Sequence, residues 1–234
     1  MKTTHFACMM LIAMIAASVP ASAADDKAKP LFNGKDLNNF EIRSGTATYK
    51  IEDGVIVGTT TEGSPNSFLC TKKEYCDFVL EFDVLCDKPL NSGVQIRSHV
   101  GDGTDKYKGK NGKAVPKDRV HGYQVEITNG ERGVAGGIYD EARRGWLDDL
   151  SKRQGDAHKT AFKNNEWNHY KIMAQGDRIQ TWINGVPCAD LKDDMDKCGL
   201  IGFQVHGIKK GEGPYQVRWK NITIRELGPG KAAE

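Results

Sequence analysis

Beyond its first twenty residues the chain has no apolar run long enough to span a bilayer, which excludes a helical membrane anchor further on. Sustained helical periodicity is also missing, and this argues against a bundle or an α/β fold. Charge of one sign is not in excess. The 33 Lys and Arg residues stand against 31 Asp and Glu, so nothing calls for nucleic acid or an acidic membrane surface as a partner. No cysteine spacing resembles a zinc site. The Lys- and Gly-rich stretch GKNGK lacks the spacing and the strand-to-helix setting of a phosphate loop, and reads as a solvated connection.

What is present starts with a leader. Lys2 precedes an apolar run from Phe6 to Val19, and Ala21-Ser22-Ala23 forms a small-x-small cleavage pattern. This predicts a signal peptide over residues 1–23, cut after Ala23, and export to the periplasm or medium. Residues 24–30 and 228–234 read as flexible ends around one domain, 31–227. Apart from Cys8 in the leader, five cysteines remain, an odd number that leaves at least one thiol unpaired within the chain. Cys188 with Cys198 is the expected disulfide, and Cys70 with Cys76 is an alternative.

Alternation with period two dominates the domain. TYKIEDGVIVG (48–58) reads as strand, Asp-Gly turn and strand. Residues 77–86 alternate Phe78, Leu80, Phe82 and Val84 on one face. Residues 166–191 read as a meander turning at Gly176-Asp177 and Asn184-Gly185, and residues 215–227 as a closing strand. A turn or two of helix over 155–162, capped by Asp156, is the one helical signal. Two long connections, 99–122 and 136 to about 166, break the meander. The expected fold is all-β, an antiparallel β-sandwich or jelly roll.

Three of the strands share a pattern. GVQIR (93–97), YQVEI (123–127) and GFQVH (202–206) each carry Gln, an apolar residue and an ionisable one. Alternation places Gln95 with Arg97, Gln124 with Glu126 and Gln204 with His206 on polar faces, while Ile96, Val125 and Val205 point inward. If the strands share a sheet, one surface gathers all six polar groups, which suits a polar ligand better than bulk solvent alone. An amide both donates and accepts, as sugar hydroxyls require. Tyr139, Trp146 and Trp167 are candidates to stack on a pyranose. Asn91-Ser92-Gly93 marks a point of close backbone approach. Asp140, Glu141, Arg143 and Arg144 crowd one loop; they read as a salt-bridged cluster, with both arginines retained as candidate substrate contacts.

Taken in order, LFNGKDLNNF, NSGVQIR, GYQVEI, GGIYDEARRGWL, EWNHYKI, TWINGVP and IGFQVHG resemble the 3-keto-disaccharide hydrolase family. The resemblance extends from about Leu31 to Leu227. It implies a concanavalin A-like lectin/glucanase sandwich that binds saccharides, with activity on glycosides oxidised at carbon 3. The order Gln124-Val125-Glu126 reverses the Glu and Gln positions common among relatives.

The residues also limit the chemistry. An ordinary glycosidase needs two carboxylates, and the assignable polar faces offer Glu126 alone. A 3-keto sugar needs one base, one group to stabilise an enolate and one proton donor. His206 is the first candidate base, Glu126 the alternative base or the acid, and Arg97 the enolate stabiliser. Gln95, Gln124 and Gln204 would orient hydroxyls. No cofactor is expected, although a divalent metal held by Glu126, His206 and water is a further option. Two other readings stay open: a non-catalytic lectin-like module, and a partner-binding envelope domain whose polar face is merely solvated.

Overall fold

Alternating sequence becomes paired strands in the computed structural model, which describes residues 27–104, 106–129, 132–155 and 157–228. The leader 1–23, residues 24–26, Asp156 and residues 229–234 lie outside the described residues. In chain order the strands begin with β1 Lys29–Pro30, β2 Phe40–Arg43, β3 Thr48–Glu52, β4 Val55–Thr59 and β5 Ser67–Thr71. Next come β6 Phe78–Cys86, β7 Ser92–Val100, β8 Val120–Ile127, β9 Ile138–Glu141 and β10 Gly145–Asp148. Last are β11 Asn168–Gln175, β12 Arg178–Ile183, β13 Val186–Lys192, β14 Leu200–Val205 and β15 Gln216–Glu226.

These strands form two antiparallel sheets, an all-β sandwich. One sheet runs β13-β12-β11-β6-β15-β4-β3, with β1 against β15; the other runs β10-β9-β8-β7-β14-β5-β2. The chain therefore joins the sheet earlier than residue 31, because Lys29 and Pro30 pair with Ile224 and Thr223. The second long connection is partly a hairpin: β9 and β10 extend one sheet beyond β8, with Ala142 at φ 59° in the turn. The helical signal near residue 158 reduces to a 3₁₀ turn over His158–Thr160. Among the described residues no helix is long and apolar enough to cross a membrane.

Aromatic side chains between the sheets hold them together. Phe203 of β14 meets Phe82 of β6 at 6.1 Å and Trp219 of β15 at 5.6 Å, and Phe82 stacks on Tyr170 of β11 at 5.3 Å. Phe78, Leu80, Phe82 and Val84 are all buried, as alternation requires. Each such side chain contributes about 1.5–3 kcal/mol by leaving water, so Phe203→Ala would cost roughly 3–5 kcal/mol with the cavity included. Tyr170 also donates to the backbone oxygen of Glu126 at 3.2 Å, which fixes a strand of the polar face from inside the core.

The disulfide differs from the expected pair. Tyr75 and Gly199 exchange backbone hydrogen bonds at 2.8 and 3.1 Å, and this bridge brings Cys76 against Cys198, which are bonded. Cys188 lies on β13 with its side chain buried in the core, and Cys70 is buried on β5. Short sequence separation was the wrong guide because strand pairing, not loop length, decides which cysteines meet.

Candidate functional site

β8, β7 and β14 are neighbours, so the three Gln-bearing strands do lie side by side. Gln95 pairs with Gln124 across the ladder, and Gly202 of β14 is level with Gln95. The amides form a directed chain. Ser98 Oγ donates to Gln95 Oε1 at 2.6 Å, and Gln95 Nε2 donates to Gln124 Oε1 at 2.8 Å. Gln204 Nε2 donates to the same oxygen at 2.8 Å, and Gln124 Nε2 donates to Glu126 Oε2 at 3.2 Å. With its oxygen taken twice, Gln124 can only turn its nitrogen to the carboxylate, so the amide orientation is forced. Gly93 stands opposite Glu126, and a Cβ there would lie 2.6 Å from the Gln124 side chain. Only glycine leaves room for that amide.

Glu126 receives a second hydrogen bond, from Asn91 Nδ2 to Oε1. Both bonds favour the ionised acid, yet burial outweighs them and pushes the carboxyl up to about 7; nearby Glu141 adds to the rise and Arg132 opposes it. Glu126 is therefore an acid poised near neutrality. His206 follows β14 on the same surface. Its Nδ1 lies 2.7 Å from Gly207 O, a group that can only accept, so Nδ1 carries the proton and Nε2 of the neutral ring keeps its lone pair.

Asn66, Asn91, Gln124, Glu126, Arg132, Tyr139, Glu141, Trp146, Gln204 and His206 together line a cavity of about 440 Å³. Gln204 Oε1 is buried and has no hydrogen-bond donor among the described residues. Tyr139 and Trp146, edge to face at 5.3 Å, supply the aromatic wall. Gln95 lies beneath this lining and orients Gln124 rather than reaching the cavity.

Other expected residues go elsewhere. The β7–β8 register shifts between Ile96 and His99, and Arg97 takes φ 46°, so alternation fails there and Arg97 does not join Gln95. Its buried guanidinium donates instead to Cys76 O at 2.6 Å, Gly176 O at 2.8 Å and Asp77 Oδ1 at 2.7 Å. It clamps one sheet to the other and is not placed to stabilise an enolate. Arg143 is buried against Asp140 and Asp196, and the partly exposed Arg144 pairs with Asp140 and Asp193, a salt-bridged cluster outside the Glu126 cavity. Trp167 lies under the Lys220 ammonium at 4.1 Å, beside β11 and β15 of the opposite sheet.

Sequence reasoning missed Asn66 and Arg132 and gave Glu141 only a loop role. Glu141 Oε1 pairs with Arg119 and accepts from Asn66 at 3.3 Å. Alternation along β9 was the available signal, since Tyr139 and Glu141 share one parity. Among the described residues no group of three or more His, Cys, Asp or Glu is arranged to hold a metal ion.

Residues 27–225 match the family described as a 3-keto-alpha-glucoside-1,2-lyase-like domain. No curated protein sequence matches the chain significantly. Solved structures share the fold at low identity. A candidate glycosyl hydrolase from Parabacteroides distasonis is 24% identical, with a TM-score of 0.53 over 86% of this chain and 100% of its own. A Bacillus subtilis protein with a galectin-like fold is 12% identical, with a TM-score of 0.57 over 87% and 96%. The carbohydrate-binding module CBM66 from Bacillus subtilis is 15% identical, with a TM-score of 0.51 over 80% and 96%.

Proposed function

The chain belongs to the 3-keto-alpha-glucoside-1,2-lyase-like domain family, and from that premise we propose that it cleaves the glycosidic bond of glucosides already oxidised at carbon 3. At the coarser level it is a carbohydrate-active protein. The observation that carries the finer reading is Glu126: a buried carboxyl poised near pH 7, hydrogen-bonded by Asn91 and Gln124, lining one cavity with His206.

The 3-ketone acidifies the hydrogen on carbon 2. His206 Nε2 takes that proton, and the electron pair forms the enolate. Its collapse makes the C1–C2 double bond and expels the C1 oxygen, which receives a proton from Glu126 and leaves as the alcohol. Addition of water across the double bond then completes a net hydrolysis. Gln204 and Asn91, which line the cavity, orient ring hydroxyls, and Tyr139 with Trp146 covers a face of the ring.

One observation favours a second reading. Glu141 is a second carboxylate on the same cavity, so direct hydrolysis of unoxidised glycosides has the groups it needs. A purely sugar-binding module is a third, in keeping with the fold shared with CBM66. The deciding experiment incubates the purified protein with 4-nitrophenyl 3-keto-α-glucoside and with its unoxidised parent, with and without chelator, and follows nitrophenol release. Release from the oxidised substrate alone supports the proposal. Release from the parent moves the assignment to ordinary hydrolysis, and binding without release moves it to a module.

Export belongs to the same proposal. The Cys76–Cys198 disulfide suits an oxidising compartment, in line with the leader-like start of the sequence. Recovery of the protein outside the cytoplasm, with Ala24 as its first residue, is the test.

A further inference from the structure

A second cavity, of about 430 Å³, shares Tyr139 with the first. One wall is the 99–122 connection, which does not run free. Lys108 and Ala114 form an antiparallel bridge, Gly109 N bonds Lys113 O at 2.9 Å, and Val115 N bonds Tyr107 O at 3.0 Å. Tyr107 anchors this small hairpin, stacking on His99 at 5.3 Å and lying against the buried His121 at 4.6 Å. The opposite wall is the β9–β10 turn, with Ala142 and Arg143.

The lining has two chemical parts. Ala114, Val115, Pro116, Ala142 and the Tyr139 ring are apolar, whereas Lys110, Lys113 and Arg143 are cationic, and no acid contributes. Lys110 is laid across the turn, its ammonium 5.7 Å from the Tyr139 ring centroid, and a Cβ at Gly145 would overlap it. Neither lysine is paired with a carboxylate among the described residues. Arg143 satisfies Asp140 and Asp196 through Nε and Nη2, but its buried Nη1 has no acceptor. Arg143 is already ion-paired with Asp140 and Asp196, so Lys110 and Lys113, beside an apolar wall, are the cations left to meet an anion.

We propose that this cavity is the leaving-group subsite, and that it selects an apolar, aryl-type aglycone carrying an anionic group, held between Tyr139 and the Lys110 and Lys113 ammoniums. The assignment of the leaving group rests on the cleavage reading above; the anion preference does not. A sugar in the Glu126 cavity projects its C1 substituent past Tyr139, the wall common to both spaces. The aglycone ring then lies on the Val115–Pro116 side, with its acid between the lysines.

The test compares two 3-keto-α-glucosides differing only in the aglycone, 4-carboxyphenyl against 4-nitrophenyl. The ratio of their kcat/KM values is read in the parent and in the Lys110→Ala/Lys113→Ala and Lys113→Glu variants. The ratio should favour the carboxylate by about fivefold or more at low salt and fall towards one both in the double alanine variant and in Lys113→Glu, where Lys110 is offset by the new acid, as steered rim charges do. A ratio near one in the parent, or a preference that survives both variants, overturns the proposal. If neither substrate turns over, calorimetry with the two unoxidised glucosides decides. Lysine-dependent preference for the carboxylate keeps an anion-selective site while the cleavage reading falls, and equal binding removes the site as well.

Discussion

Gln124 and Glu126, two residues apart on β8, are joined by a 3.2 Å hydrogen bond whose direction is dictated from both flanking sides, since the Gln124 oxygen is held by Gln95 and Gln204. The protonation of the acid is thus tied to amides on three strands. Gln124→Leu should leave the buried Gln95 and Gln204 donors unpaired, at about 1–3 kcal/mol each, visible as a lower denaturation midpoint. It also removes a bond that favours the ionised acid. The pH limb of activity assigned to Glu126 should therefore move upward, and a downward move would refute the coupling.

Glu126 itself should mark stability with pH. Its folded pKa, about 7, lies above the ordinary carboxylate value of 4.5, so the folded state holds the proton more tightly. Below 4.5 both states are protonated. Between 4.5 and 7 the unfolded chain ionises first, and stability falls by about 3 kcal/mol across that window. Glu126→Gln should abolish the fall and cut activity roughly 10²–10⁴-fold, whereas His206→Ala should cut activity and keep the fall. Denaturant titrations at pH 4.5 and 7.5 separate the two.

Arg97 should matter to folding and not to chemistry. Arg97→Met removes the ion pair with Asp77 and the donors to two carbonyls, so a loss of about 3 kcal/mol is expected with kcat within about twofold of the parent. A kcat loss of a hundredfold in folded protein would return Arg97 to the reaction.

Reduction should destabilise the sandwich. Cys76 and Cys198 are 122 residues apart, and closing a loop of that size is worth about 2–5 kcal/mol. The melting temperature should drop with reductant in the parent and stay put in Cys76→Ser/Cys198→Ser. Burial pushes the Cys70 and Cys86 thiols up to about 12 and Cys188 to about 11, so none should react readily with a thiol reagent in the native state. A peptide map that links Cys188 to Cys198 would contradict the fold.

Local alternation determined a good deal by itself. The strands around Phe78–Val84, the turns at Gly176 and Asn184 and the shared parity of Gln124 with Glu126 follow from a period that each segment carries in its own residues. The polar pattern was legible because a side chain's face needs no knowledge of the partner strand. Family membership was legible in the same way, from short motifs in order.

Tertiary structure decided what depends on distant pairing. The bulge after Ile96 turns Arg97 away from Gln95, and it is a feature of how β7 pairs with β8, not of the β7 sequence alone. Asn66 and Glu141 reach the Glu126 cavity from flanking segments, and Cys76 meets Cys198 through the Tyr75–Gly199 bridge. The 99–122 connection became a wall because Tyr107 found His99 and His121. Side-chain direction is a property of one strand, but register, bulges and cavity walls are set by contacts between segments far apart in the chain, whose closure no local period encodes.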